Sequence, residues 1–307
     1  MYNLTIVSMF KNESLILEEW ISYYIRQGVE HFYLIDNGST DNYKSKLKPY
    51  MDKISLVKDP FRVRYDEENK LKSYDSKKKK YIFSNSNCHT QILLANNYFL
   101  ETIKNTSIWT MYIDCDEYIY IPKSKNIKDY LINHIDTSKK YDNICDIFIP
   151  WKLFGSNKLE KQPKSIIQGF DKRMDIQSFK KKVLKHGNVR GYGKSITRTK
   201  YLTLLNIHKC DFSIDHFTLF PNDIILENNK KRLEDFINSM DYNQNFVHCN
   251  HYMIMSKEYY FNYKKKREGG ARKVSVPRSD KYWNEHDRND EIDTMLIENE
   301  NLLNKLK

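Results

Sequence analysis

Cysteine is scarce in this chain, and its pattern is as informative as its number. The five cysteines among 307 residues, Cys88, Cys115, Cys145, Cys210 and Cys249, are scattered, odd in number and form no CxxC pair. That spacing excludes a disulfide framework and points to a reducing compartment. Long apolar runs are also missing. No stretch approaches the roughly 18 residues of a membrane span, and Leu4 to Phe10 is too short for the apolar core of a signal peptide. A soluble, cytoplasmic protein is expected, with peripheral membrane contact as the only membrane contact. Glycine is thin at 9 residues. There is no internal repeat and no clear linker, so a single domain is expected.

The chain is 40% hydrophobic and 14% aromatic, which places it among globular rather than disordered sequences. Its net charge of +11 would suit nucleic acid, an anionic membrane or phosphate-bearing ligands. The excess is mostly lysine, however, beside abundant Asn, Ile and Tyr. An AT-rich genome gives the same mixture. No nucleic-acid-binding signature accompanies the charge, so no nucleic-acid partner is expected.

The segment with the most chemistry is Trp109-Thr110-Met111-Tyr112-Ile113-Asp114-Cys115-Asp116-Glu117. An apolar run feeds into three carboxylates, and carboxylates are seldom left buried and unpaired. Strand alternation would turn Asp114 and Asp116 to one side. Two hard oxygen ligands at the carboxyl end of a strand suit Mg²⁺ or Mn²⁺ holding a phosphate. A strand end with a solvated acidic turn is the other reading.

The surrounding order supports the first reading. Strands are expected at Leu4–Phe10, His31–Ile35 and Ile54–Lys58. Helices are expected at Leu15–Gln27, capped by Ser14 and ended by Gly28, and at Asn42–Met51. This βαβ rhythm implies an α/β fold with a parallel sheet, whose ligands sit outside the carboxyl ends of the strands. Asn12-Glu13, Asp36-Asn37, Lys58-Asp59 and Asp114-Cys115-Asp116 all fall at such ends. A solvated loop at Arg62–Lys80 and a helix at Ile82–Lys104 are expected next. Then follow a strand at Tyr118–Ile121, a helix at Ile127–Ile135 and a strand at Ile144–Trp151. Loops are expected from Asn157 to Lys194. Helices are expected at Ser256–Glu268, with Ser256 as cap, and at Asp290–Leu306.

Lys11-Asn12-Glu13, Glu19-Trp20, Gly28, Phe32, Asp36-Asn37 with Ser39 and Asp41, and Asp114-Cys115-Asp116-Glu117 form a collinear series. Trp151 with Phe154-Gly155-Ser156, Lys194-Ser195-Ile196, His208 and His251-Tyr252 with Ser256 continue it. The series resembles glycosyltransferase family 92 and its relatives in the glycosyltransferase family 2 superfamily. The resemblance implies a GT-A fold, with a nucleotide-sugar-binding part at 1–122, an acceptor-binding part at 123–275 and a helical tail at 276–307. It implies an inverting transfer from an activated sugar, often UDP-linked, to a glycan, protein or lipid hydroxyl. It also implies that Asp116 bridges metal and diphosphate, that Asp114 contacts ribose or the metal through water, and that His251 is the third metal ligand, with His248 as its competitor. Many eukaryotic members are Golgi type II membrane proteins, and no anchor of that kind is expected from this sequence.

On this reading Asn12, Glu13, Asp36 and Lys58 line the nucleotide pocket. Lys194 and the Lys266-Arg267 pair neutralise diphosphate. Trp151, Phe154 and Tyr252 form a sugar platform, with core packing as the alternative. Glu268 is the candidate general base, with Asp171, Asp215 and Asp290 left open. His208, Cys210, His248, Cys249 and His251 match no standard zinc module. The rival readings are a metal-dependent phosphatase or nuclease and a basic nucleic-acid-binding protein. Tyr118, followed by Ile119, stands where an Asp-x-Asp-x-Thr phosphatase would carry Thr.

Overall fold

The computed structural model describes residues 1–60, 90–122, 124–226, 230–243, 245–266 and 278–305. The loop expected at Arg62–Lys80, the first residues of the helix expected from Ile82, Arg267 and Glu268 lie outside the described residues.

The first part of the chain runs β1 (Tyr2–Phe10), α1 (Leu17–Arg26), β2 (His31–Asp36), α2 (Tyr43–Leu47), β3 (Ile54–Lys58), α3 (Thr90–Thr106), β4 (Ser107–Tyr112) and β5 (Glu117–Tyr120). Next come α4 (Ile127–Tyr130), β6 (Ile144–Leu153), α5 (Ile166–Gly169), β7 (Lys172–Arg173), α6 (Ile176–His186), β8 (Gly193–Arg198), β9 (Leu202–Leu204) and β10 (Asp211–Phe212). The remainder is β11 (Phe217–Phe220), β12 (Ile224–Leu226), α7 (Lys230–Ser239), β13 (His248–His251), α8 (Lys257–Tyr259), α9 (Asp280–His286), β14 (Glu291–Ile292) and α10 (Met295–Lys305).

One ten-stranded mixed sheet organises the molecule, with the main order β12-β11-β6-β8-β4-β1-β2-β3. Strands β3, β2, β1 and β4 are parallel, the α/β arrangement expected. Antiparallel β8 enters between β4 and β6. Strand β13 pairs with β5 and β6. Alternate residues of the parallel strands feed two cores. Leu4, Ile6, Phe32, Leu34 and Trp109 pack with α1 through Trp20 and Tyr24. Val7, Tyr33, Ile35 and Tyr112 pack with α3 through Leu94, Phe99 and Ile103. Cover on both faces explains why these strands read as near-continuous apolar runs.

Local boundaries follow from identifiable residues. Leu17, Trp20, Ile21 and Tyr24 give α1 its buried stripe. Gly28 follows at φ 87°, and a Cβ there would meet Lys128 Cβ at 2.5 Å, so both conformation and space require glycine. Ser14 does not cap α1. Its backbone N–H donates to Asp41 at 2.8 Å, and Ile16 occupies the cap position without a side-chain bond. The helix expected at Asn42–Met51 is only α2 followed by a 3₁₀ turn at Lys48–Lys53, because Pro49 supplies no N–H to continue it. Residues 157–194 are not all loop: α6 buries Phe179 and Val183, is capped by Asp175 and ends at left-handed Gly187. Ser256 caps α8 by accepting from Tyr259 N–H, but the helix then widens into a π turn at Tyr260–Lys264.

The C-terminal segment is pinned by charge. Buried Lys152 on β6 and Arg173 on β7 each approach Asp293 Oδ2 at 2.7 Å. This replaces the start of the helix expected from Asp290: Glu291–Ile292 pairs with β7, and α10 begins at Met295. Among the described residues, no helix is long and apolar enough to cross a membrane.

Burial pushes the Asp293 carboxyl up, but Lys152 and Arg173 outweigh it and hold it at about 2, against an ordinary 3.8. The unfolded chain takes this proton first, so the contribution is full above pH 4 and lost as pH falls through about 2. Wild type should lose about 2 kcal/mol over that window, and Asp293→Asn should not. At neutral pH the substitution should cost about 3 kcal/mol by leaving buried Lys152 without its carboxylate, while Arg173 keeps Glu291 at 2.7 Å. Urea unfolding at several pH values measures both, and an unchanged midpoint at neutral pH contradicts the anchoring role.

Candidate functional site

The carboxyl ends of the parallel strands line up by register. Phe10 of β1 is opposite Asp36 of β2, and Asp36 is opposite Lys58 of β3. The loops beyond β1 and β2 are stitched together. Asn12, at φ 55°, donates its backbone N–H to Ser39 Oγ at 2.9 Å and accepts from Thr40 N–H at 2.8 Å. Asp36 is fully buried and accepts from Ser39 N–H at 2.6 Å, so one carboxylate oxygen holds the turn. Lys58 is exposed at the end of β3, the outermost parallel strand.

Beside them, β4 ends at Tyr112, and residues 115–116 form a turn. Asp114 and Asp116 therefore do not share a face by strand alternation, which corrects that expectation. The turn closes on itself: Glu117 N–H donates to Asp114 O at 3.2 Å, and Asp114 N–H donates to Glu117 Oε2 at 2.9 Å. Two ammonium groups serve the three carboxylates. Lys194, fully buried on β8, places Nζ 2.8 Å from Asp114 Oδ2 and 3.1 Å from Glu117 Oε2. Gln91 donates to the other Asp114 oxygen at 3.1 Å. Lys264, at the end of the π turn, pairs with Asp116 Oδ2. The β5–β13 register sets His251 opposite Glu117. Its Nε2 lies 3.6 Å from Asp116 Oδ1, and its Nδ1 lies 3.8 Å from Glu117 Oε1.

Electrostatics divide these groups into charged and neutral members. Burial would lower the Lys194 ammonium, but Asp114 and Glu117 raise it, so it stays protonated. Burial raises Asp114, yet Lys194 brings the carboxyl below its ordinary value. Burial pushes Glu117 up to about 8, with Lys194 opposing. Burial pushes His251 down to about 3 against the pull of Asp116, which leaves a neutral imidazole at neutral pH. A neutral imidazole is the form that binds a metal.

The structure thus brings together Asp114, Asp116, His251 and Lys194, with Glu117 behind them. Glu13 joins through Tyr259, whose hydroxyl donates to its carboxylate. The sugar platform is corrected. Phe154 and Tyr252 are each 1% exposed and pack on one another at 4.8 Å, so neither ring offers a free face. Trp151 lies against His251 at 4.4 Å and His208 at 5.5 Å. His208 and His248 turn Nδ1 to the backbone carbonyls of Gly193 and Phe246. Of the open bases, Asp171 is engaged by Asn157, Asp290 pairs with Arg288 at 2.7 Å, and Asp215 is exposed. Sequence reading missed Lys264, Tyr259 and Gln91. The Lys264-Lys265-Lys266-Arg267 run was visible, but helical spacing alone did not show which ammonium turns inward.

The model of glycosyltransferase family 92 matches residues 5–267, most of the chain. The chain belongs to glycosyltransferase family 92. It is 22% identical over 185 residues to a glycosyltransferase family 92 protein of Ricinus communis, a match covering 60% of this chain and 29% of that protein. Among solved structures, residues 1–349 of S. aureus TarS align over 64% of this chain and 47% of that one, with 12% identity and a TM-score of 0.31.

In this family 92 chain, Lys194 is the ammonium shared by the partly exposed Asp114 and the buried Glu117. Lys194→Met should destabilise the fold by about 1–3 kcal/mol, because buried Glu117 and partly exposed Asp114 would lose the donor they share. A wild-type urea midpoint for the variant would contradict that role.

Proposed function

We propose that the chain is a metal-dependent, inverting glycosyltransferase that moves a sugar from a nucleotide diphosphate donor, UDP-linked, to an acceptor hydroxyl on a glycan, protein or lipid. The observation that carries the reading is the Asp116–His251 pair beside Asp114 at the carboxyl ends of parallel strands. Donors for Mn²⁺ or Mg²⁺ are available there. The Asp116 oxygen and the neutral His251 nitrogen face each other, and His251 Nδ1 turns toward Glu117 Oε1. Both of the latter atoms are buried without a hydrogen-bond partner among the described residues. A carboxylate behind a ligating histidine fixes its ring and tautomer.

Among the described residues, no group of three or more His, Cys, Asp or Glu side chains is placed to hold a metal ion. Asp114, Asp116 and His251 are therefore not assembled as a three-residue ligand set, and the proposed ion would rest on Asp116 and His251, with donor phosphate and water completing its coordination. Once bound, the ion supplies Lewis-acid stabilisation of the diphosphate leaving group. Asp116 and His251 would hold it. Asp114, fixed by Lys194 and Gln91, is placed for ribose or for a metal-bound water. Asn12 and Asp36 shape the neighbouring loops into the floor of a nucleotide site, with Glu13 and Lys58 at its margins. Glu268 is the proposed base that takes the acceptor proton. A single in-line attack inverts the anomeric centre.

A nucleotide-sugar panel read by thermal shift, with and without Mn²⁺, identifies the donor, because a ligand of the folded state raises apparent stability. Asp116→Asn should keep the fold and lower transfer at least about a hundredfold, the scale of removing a principal charge-stabilising group. The anomeric proton coupling of the product should report a β-linkage from an α-linked donor. An α-linked product overturns inversion. Near-wild-type turnover of the variant in saturating Mn²⁺ removes Asp116 from the proposed role.

A further inference from the structure

The carboxylate cluster already contains two cations of its own. Lys194 belongs to Asp114 and Glu117, while Lys264 pairs with Asp116. Lys264 and Asp116 side chains are only 4% and 8% exposed, so their attraction is little screened by water. Lys264 is also tethered in a specific way. It ends the π turn Tyr260–Lys264, a geometry that often marks functional sites. Its carbonyl accepts from Arg278 at 2.8 Å, and Tyr259 of the same segment donates to Glu13. The backbone is therefore fixed over the strand ends, with the long Lys264 side chain reaching down to Asp116.

This inference rests on the proposed metal site. A divalent ion on Asp116 would sit within a few ångströms of the Lys264 ammonium, and like charges in a buried site repel strongly. We infer that Lys264 is a resident counter-ion for Asp116: it neutralises the carboxylate until a divalent cation displaces it, and the displaced ammonium then serves the diphosphate of the donor. Lys264 would thus oppose metal binding when the donor is absent and assist donor binding when metal is present. A merely structural lysine would give neither pair of effects. Coupling of this kind makes metal and nucleotide bind together rather than separately.

The experiment is a Mn²⁺ titration followed by the electron paramagnetic resonance of free ion, for wild type, Lys264→Met, Lys264→Arg and Asp116→Asn. UDP affinity at saturating Mn²⁺ is then measured by calorimetry. Lys264→Met should bind Mn²⁺ about tenfold more tightly, roughly 1.4 kcal/mol, yet bind UDP about tenfold more weakly. Lys264→Arg, which keeps the charge, should stay near wild type in Mn²⁺ affinity. If Asp116→Asn and wild type bind Mn²⁺ alike, the metal reading falls and the displacement falls with it. If Asp116-dependent binding is present but Lys264→Met does not tighten it, the displacement alone is wrong. Should Lys264→Met fail to fold, wild type labelled with ¹³C at the lysine ε carbons is titrated with Mg²⁺. One lysine signal, assigned by its loss in Lys264→Arg, should move with saturation at the Asp116 site, and no movement overturns the inference.

Discussion

The Lys194 ammonium, sealed from solvent between Asp114 and Glu117, is the interaction on which the site depends. An acidic turn at the end of a buried strand is costly unless its charges are answered. Strand β8 answers them by entering the sheet antiparallel beside β4. That insertion ends the parallel half of the sheet and delivers a cation to the point where carboxylates collect. Lys194 thereby ties the two ends of the β4–β5 turn together through Asp114 and Glu117. Asp116 is then presented toward His251 and Lys264.

A second set of ties comes from distant sequence. The β5–β13 register fixes His251 behind Asp116, while the segment around α8 crosses the strand ends through Tyr259–Glu13 and Lys264–Asp116. The first and last thirds of the chain therefore meet at one cluster. The C-terminal residues join through Asp293, which holds Lys152 and Arg173. Charges buried in pairs cost stability in general, but they also fix register and orientation when each has its partner. Here the partners come from strands far apart in sequence, so folding assembles the site and the sheet together.

Much of the parallel half was legible because its signals are local. Apolar runs ended by Asn12-Glu13, Asp36-Asn37 and Lys58-Asp59 mark β1, β2 and β3 almost to the residue. The acidic cluster and His251 were also legible, through the collinear series rather than through any single motif. What escaped depended on long-range pairing or on surface charge that hid a core stripe. Helix α6 carries Phe179 and Val183 among lysines, so its period was masked, although Asp175 and Gly187 bracket it. Phe154 and Tyr252 read equally as platform or core, and only tertiary packing decides for core. Lys264 could not be separated from its basic neighbours, because a π turn rather than an α-helical one directs it inward.

The central claim is that Asp116 and His251 hold the ion that binds the donor diphosphate. The most direct measurement is anomalous scattering from Mn²⁺ in crystals grown with Mn²⁺ and UDP. The account predicts one peak within about 2.3 Å of an Asp116 oxygen and a His251 nitrogen, with the diphosphate on its open side. A peak elsewhere, with His251 still packed against Trp151 and Asp116 still bound to Lys264, would contradict it.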